Sequence, residues 1–98
     1  MELSEYNVPL SADDVIKFYG AKLKGMKSAC GIVISDIHPH AAKRIIERNI
    51  TLAVLEDLIK NSSITYPGNT PDRICQQKDD LRLVLINSTG EIRSVIRL

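Results

Sequence analysis

Large aromatic side chains are nearly absent from this sequence. It has no tryptophan, one phenylalanine and three tyrosines among its 98 residues, so leucine, isoleucine and valine must form the hydrophobic core. Long apolar runs are absent too: the longest, residues 29–34, is far shorter than the roughly 20 residues that span a membrane. We therefore expect one small globular domain without a membrane segment. Acids rather than an apolar run follow Met1, so we also expect no signal peptide.

Cysteine is scarce and does not form a motif. Cys30 and Cys75 lie far apart, and neither belongs to a C-x-x-C pair or to a metal-ligand spacing. They are compatible with one disulfide or with two free thiols in a reducing compartment. The H-x-E and P-C-x-x-C motifs of zinc nucleobase deaminases are missing as well. We therefore predict no metal and no cofactor.

The net charge of +1 conceals an uneven distribution along the chain. Residues 1–16 contain four acids and no base, residues 17–48 contain seven bases against two acids, and residues 49–98 are balanced. A basic stretch within a nearly neutral protein favours a focused anion site over a surface that coats nucleic acid. The alternative is that the lysines serve only to keep their helices soluble.

Capping signals and periodicity predict three helices followed by four strands. Ser11 is a predicted N-cap for a helix that ends near residues 23–25, and Thr51 for a third helix at residues 52–60. Pro39 suits the first turn of a second helix at residues 39–48, for which Ser35 and Asp36 are candidate caps. Alternation and turn signals predict strands at residues 64–66, 73–77, 81–86 and 91–97, and residues 31–34 are β-like.

This order of elements predicts an α+β fold, with N-terminal helices packed on a C-terminal antiparallel sheet of about four strands. Residues 1–10 are predicted to form a tail or a short leading strand. Residues 11–98 then make up a single α+β domain.

The second helix carries the residues best suited to chemistry. Its apolar positions must face the core, which leaves His40, Arg44 and Arg48 along one edge at intervals of four residues. Arginine grips a phosphate with two parallel hydrogen bonds, and histidine exchanges a proton near neutral pH. The alternative is that Arg44 pairs with Glu47 and that His40 caps the helix.

The last strand adds a hydroxyl to this edge. Strict alternation places Ile92, Ser94 and Ile96 on the face that packs against the helices. Ser94 then needs a partner there, because an unpaired buried hydroxyl costs on the order of 1–3 kcal/mol. Either it bonds a neighbouring backbone group, or it faces His40 at the seam between helix and sheet.

Two stretches of the sequence match a known pattern. Residues 40–51, HAAKRIIERNIT, resemble the signature H-A-x-x-R-x-x-E-R-G-I-[ST], and residues 90–97, GEIRSVIR, resemble its closing strand. The pattern covers residues 34–98 and is similar to that of the C-terminal toxin domains of bacterial polymorphic and contact-dependent inhibition toxins. It is also similar to that of related domains of unknown function that are grouped with the barnase–EndoU–colicin–RelE ribonuclease superfamily. Asn49 stands in place of the glycine of the signature. Asparagine is tolerated there, because it can adopt the left-handed conformation.

The resemblance implies an endoribonuclease that needs no metal. A base removes the proton of a ribose 2′-OH, which attacks the adjacent phosphate, and an acid protonates the leaving 5′ oxygen. The products are a 2′,3′-cyclic phosphate and a free 5′-OH. By position, His40, Arg44 and Ser94 correspond to the family's histidine, helix arginine and last-strand hydroxyl, and we take them as the candidate catalytic residues. His38 precedes Pro39, so the base and acid roles of His38 and His40 stay open.

Further residues are candidates for contacts with the substrate. Arg48 matches the second arginine of the signature. The alternative is that it ties the helix to acidic side chains nearby. In the loop region, Tyr66, Thr70 and Arg73, together with Asn69, are candidates for stacking on bases or contacting phosphate.

The resemblance also implies partners and a place of action. The substrate would be RNA, such as tRNA, and a cognate immunity protein, acidic in character, would block the basic cleft. The domain would be part of a secreted or surface-delivered bacterial toxin that acts in the cytoplasm of the target cell. The alternative from another class is a non-catalytic module that binds RNA or a protein on the same fold.

Overall fold

The computed structural model describes residues 11–98, so the predicted tail at residues 1–10 lies outside the described residues. The first helix has three consecutive parts: α1 (Ala12–Asp14), a π-helical turn (Val15–Tyr19) and α2 (Gly20–Leu23). The predicted N-cap is confirmed, because the Ser11 hydroxyl accepts a hydrogen bond from the backbone N–H of Asp14. At the other end of the π-helical turn, the buried Tyr19 donates its hydroxyl proton to the carbonyl of Ile50 (3.2 Å).

The second and third predicted helices are present as α3 (Pro39–Glu47) and α4 (Leu52–Asn61). The cap of α3 is neither Ser35 nor Asp36 but His38, whose Nδ1 accepts from the backbone N–H of His40 (3.0 Å). Pro39 occupies the first turn as predicted, where a missing N–H costs nothing. Thr51 caps α4 through a hydrogen bond to its hydroxyl from the N–H of Val54.

The sheet has five strands rather than about four. They are β1 (Asp36–Ile37), β2 (Ile64–Pro67), β3 (Arg73–Lys78), β4 (Leu81–Ile86) and β5 (Glu91–Arg97), in the spatial order β1-β5-β4-β3-β2. The extra strand, β1, pairs parallel with β5, so the sheet is mixed. The β-like run at residues 31–34 contributes only an isolated bridge between Lys27 and Val33. The α+β fold, with helices preceding the main strands, is confirmed.

The helices cover one face of the sheet and bury an aliphatic core. Leu83 and Leu85 of β4 and Ile92 and Val95 of β5 are fully buried in the same cluster as the helix residues. A polar side chain of the sheet is fully buried on this face: the amide nitrogen of Gln76, in β3, donates to the carbonyls of Leu58 and Ile59. Gln76 thus ties β3 to the end of α4 with its hydrogen-bonding groups satisfied, which a buried amide requires.

A bulge in β5 changes which side chains face the helices. Val84 is opposite Ser94, whereas the next residue, Leu85, is opposite Ile92, so Arg93 is an extra residue in the pairing with β4. After the bulge the alternation is inverted, and Val95 is buried instead of Ile96. The prediction that Ser94 packs against the helices is therefore wrong. A strict two-residue period holds only in an uninterrupted ladder, and Ser94 lies on the opposite face.

Candidate functional site

An open cleft of about 470 Å³ lies on the face of the sheet opposite the helices. Its floor consists of alternate residues of the strands, such as Cys75, Val84 and Ser94, and its far wall is the loop between β2 and β3. Its titratable groups are the Cys75 thiol, the Tyr66 phenol and the His40 imidazole. Its permanently charged groups are the guanidinium groups of Arg73, Arg82 and Arg93. Every charged side chain among the described residues that line the cleft is therefore a base, and the cleft suits an anion.

His40 reaches the cleft because of how β1 leads into α3. The backbone N–H of His38 donates to the carbonyl of Ile92 (2.9 Å), which continues the pairing of β1 with β5 up to the bulge. The chain then turns into α3 at Pro39. This places the exposed His40 side chain at the margin of the sheet, where it lines the cleft together with Arg93 and Ser94.

Ser94 and His40 thus line the same cleft, although Ser94 comes from the unexpected face. Ser94 stands in a row of paired residues that crosses the sheet, in which it is opposite Val84, Val84 is opposite Cys75, and Cys75 is opposite Tyr66. The row runs along the floor of the cleft from the His40 side to the Tyr66 side. It gives the site an extended shape.

The pKa of His40 is held below its usual value of about 6.5. The largest cause is partial desolvation, which disfavours the charged imidazolium. The positive charges of Arg44 and Arg93 and a contribution from His38 lower the pKa further, while Glu47 opposes them. At neutral pH the imidazole is therefore mainly unprotonated and able to accept a proton.

Three arginines of the cleft take no part in the ion pairs of the described residues. The ion pairs found among residues 11–98 join Arg44 to Glu47, Lys78 to Asp57 and Arg97 to Asp80. Arg73, Arg82 and Arg93 form no ion pair with any residue of this described part. Guanidinium groups in such a position bind phosphate oxygens through directed hydrogen bonds.

Arg82 is held in place by an aromatic ring. Its guanidinium carbon lies 5.7 Å from the centre of the Tyr66 ring, within the range of a cation–π interaction. Tyr66 is fixed in turn, because its hydroxyl donates to the Gln77 side-chain oxygen (3.0 Å). The Nε of Arg82 is buried and has no hydrogen-bond partner within the described ranges.

The loop from β2 to β3 brings the other predicted binding residues to the cleft. Tyr66, Thr70 and Arg73 all line it, as does Asn69. The loop is closed by hydrogen bonds from the N–H of Gly68 to the Arg73 carbonyl (2.9 Å) and from the N–H of Arg73 to the Thr70 carbonyl (3.1 Å). Gly68 is needed for this approach, since a Cβ there would lie 2.5 Å from the Cβ of Arg73.

The remaining predicted site residues do not line the cleft. Arg44 binds Glu47 through its Nη1 (2.7 Å), which is the alternative that the sequence offered. Arg48 is the residue at the C-terminal end of α3, and its carbonyl accepts from Arg97. His38 uses its Nδ1 to cap α3. The stacked edge of His40, Arg44 and Arg48 therefore does not act as one surface of the cleft, although Arg44 still influences the pKa of His40.

Arg82 and Arg93 were missed from the sequence. Arg82 carries a readable signal, because it alternates with Leu81 and Leu83 in β4 and so belongs to the face opposite the core. Arg93 carries the same signal, because it alternates with the buried Ile92 in β5. The one-residue bulge at Arg93 brings Ser94 to the same face, and it depends on the pairing of β4 with β5, which is not visible in a local pattern.

The thiols and the metal-binding side chains give no competing site among the described residues. Cys30 and Cys75 are both free, and Cys75 is buried in the cleft floor, where burial raises the pKa of its thiol. Within residues 11–98, no group of three or more histidine, cysteine, aspartate and glutamate side chains is placed to hold a metal ion. In the same range no helix is long and apolar enough to cross a membrane.

Comparisons of the chain with protein-family models, with curated proteins and with solved structures gave no match.

Proposed function

We propose that this domain is an endoribonuclease that cleaves RNA without a metal ion, with His40 as the general base. The observation that carries the proposal is the cleft itself, in which an imidazole of lowered pKa, a hydroxyl and three arginines that form no ion pair within residues 11–98 line one open surface. Phosphoryl transfer of this kind requires a proton acceptor near neutral pH and fixed positive charge around the phosphate.

In the proposed reaction, His40 removes the proton from a ribose 2′-OH. The 2′ oxygen then forms a bond to the adjacent phosphorus while the bond from phosphorus to the 5′ oxygen breaks. The leaving 5′ oxygen takes a proton from the water of the open cleft, and His40 later returns its proton to solvent. The products are a 2′,3′-cyclic phosphate and a free 5′-OH.

The other residues of the cleft stabilise charge and orient the substrate in this proposal. Arg93 lines the cleft together with His40 and its charge lowers the pKa of that histidine, so we assign it to the reacting phosphate, to which Ser94 donates a hydrogen bond. Arg73 and Arg82 bind the neighbouring part of the chain. Arg44, the catalytic candidate from the sequence, is assigned a different role, which is to lower the pKa of His40 from outside the cleft.

The biological setting that we propose follows from the sequence resemblance to bacterial toxin domains. A delivered ribonuclease of this kind would act on RNA, such as tRNA, in the cytoplasm of a target cell. The producing cell would need an immunity protein, and the basic cleft is the surface on which acidic side chains of such a partner would bind.

Incubation of the purified chain with total RNA in the presence of EDTA tests the chemistry. We expect cleavage to continue in EDTA and the new ends to be 2′,3′-cyclic phosphates and 5′-hydroxyls. Fragments with 5′-phosphates, or activity that EDTA abolishes, would contradict the proposal. RNA that is bound but stays intact would instead favour the non-catalytic binding module.

The dependence of cleavage on pH provides a second prediction. Cleavage should rise with pH as His40 loses its proton and level off above its pKa, so the midpoint of the acidic limb should lie below about 6.5. Arg44→Gln removes a positive charge and should move this midpoint up. Glu47→Gln removes the opposing negative charge and should move it down. The measurement is kcat/KM against pH for the three proteins.

Neither Arg44 nor Glu47 lines the cleft, so these two variants change the charge around His40 without removing a contact to RNA. They serve as controls for each other, because each breaks the same ion pair. Shifts in the same direction for both variants would show that His40 is not the group that titrates.

A further inference from the structure

We propose that Tyr66 and Arg82 form a nucleobase subsite, and that the cleft therefore takes an unpaired strand of at least two nucleotides. This inference rests on the proposed function, since it assigns the substrate's second contact point. The two side chains lie at the end of the cleft away from His40, and neither takes part in the proposed proton transfer.

The pair has the rigidity that a stacking surface needs. Tyr66 is held at its hydroxyl by Gln77 and at its ring by the Arg82 guanidinium. An aromatic ring and a guanidinium plane both stack on bases, and any base offers a face to them. Because the surface exists before binding, little conformational entropy is lost when a base stacks on it.

Arg82 also brings a hydrogen-bonding side chain to this end of the cleft. Its Nε is buried and unpaired within the part of the chain that the structure describes, and a buried donor without a partner is unfavourable. A nucleotide supplies acceptors of the right kind, either as phosphate oxygens or as ring and carbonyl atoms of a base. Because the Nε atom is covered by protein, a nucleotide at the Tyr66 end of the cleft would bind the part of the Arg82 side chain that lines the cleft.

The register of the sheet sets the length of the ligand. Tyr66 and Ser94 are at opposite ends of the same row of paired residues, three strand spacings apart. With about 4.8 Å between neighbouring strands, their Cα atoms are separated by roughly 14 Å. A phosphate held beside His40 and Ser94 therefore leaves Tyr66 to a nucleotide further along the strand. That base must be unstacked from its neighbours to lie on the ring, which a duplex does not permit.

Binding of a fluorescently labelled 2′-O-methyl RNA hexamer tests this inference without cleavage, because the methyl group blocks the attacking oxygen. The variants are Tyr66→Leu, which removes the ring, and Tyr66→Phe, which keeps the ring but loses the bond to Gln77. We expect Tyr66→Leu to weaken binding of the single strand about tenfold or more and Tyr66→Phe to weaken it much less. The wild type should bind the single strand more tightly than the same hexamer in a duplex.

Salt dependence separates stacking from phosphate contacts. The slope of log Kd against log salt concentration reports the number of phosphate contacts, so Tyr66→Leu should leave it unchanged and Arg93→Gln should reduce it. Arg97→Gln is the matched control, since Arg97 is on the same strand but outside the cleft, paired with Asp80. Thermal unfolding of each variant checks that the fold is intact.

The failures of the two proposals are distinguishable. Wild-type affinity in a folded Tyr66→Leu variant, equal binding of duplex and single strand, or no binding by the wild type would each overturn the subsite. A wild type that binds the hexamer in the expected way but leaves unmodified RNA intact would overturn the ribonuclease and support the subsite.

Discussion

Replacement of His40 by alanine is expected to lower RNA cleavage by at least about 100-fold, the lower end of what a general base contributes. No other histidine lines the cleft among the described residues, so no second imidazole is placed to take its role. Because the His40 side chain is exposed, its loss should leave the thermal unfolding of the domain nearly unchanged. Initial rates on a defined RNA substrate, with unfolding monitored by circular dichroism, give both quantities.

The control for this variant is His38→Asn. His38 caps α3 through its Nδ1, and asparagine is also a favourable N-cap, so this substitution keeps the helix start while removing a histidine two residues away. We expect cleavage by His38→Asn to stay close to that of the wild type. If His40→Ala cleaves normally and His38→Asn does not, the base has been assigned to the wrong histidine.

Replacement of Gly90 by alanine is expected to destabilise the fold by roughly 3 kcal/mol or more, a large share of the stability of a domain this small. Gly90 has a φ of +82°, and a Cβ there would lie 1.9 Å from the carbonyl oxygen of Val33. The contact is with backbone, which does not yield by rotating a side chain. The Gly90 carbonyl also accepts from the N–H of Ser35, so the clash falls where the chain enters β1. Urea denaturation measures the loss.

Gly31→Ala provides the matched control for this effect. Gly31 also has a positive φ, +89°, but no atom of residues 11–98 beyond Gly31 and its chain neighbours lies within 4 Å of a Cβ added there. This variant should therefore show only the conformational strain, about 1 kcal/mol. Equal destabilisation by both variants would mean that the close approach of residues 33 and 90 does not matter.

The Gly90 contact links stability to the site. Residues 33–35 lie against Gly90, β1 follows directly, and β1 leads through His38 into α3 and His40. A change at Gly90 that the fold survives should therefore also displace His40 relative to Arg93. The short parallel strand β1 thus helps to position His40, although it has only two residues.

Much of the secondary structure was predictable because its signals are local. Thr51 before an apolar helical stripe and Pro39 in a first turn mark helix starts wherever they occur, and the four C-terminal strands follow from alternation between turns. The candidate residues His40, Tyr66, Thr70 and Arg73 were recognised for the same reason, since residue type and turn position are local properties. The fifth strand was not predictable, because two residues carry no periodicity of their own.

The sequence by itself therefore determined the α+β class, the positions of the helices and of the four long strands, and the histidine at the start of α3. Only the tertiary structure decided which side chains share a surface. The pairing of β4 with β5 contains a one-residue bulge that brings Ser94 to the open face beside Arg93. This outcome depends on how two strands pair rather than on the residues of β5 alone. A one-residue change in register exchanges the two faces of a strand, so the composition of the cleft could be read only after the sheet was assembled.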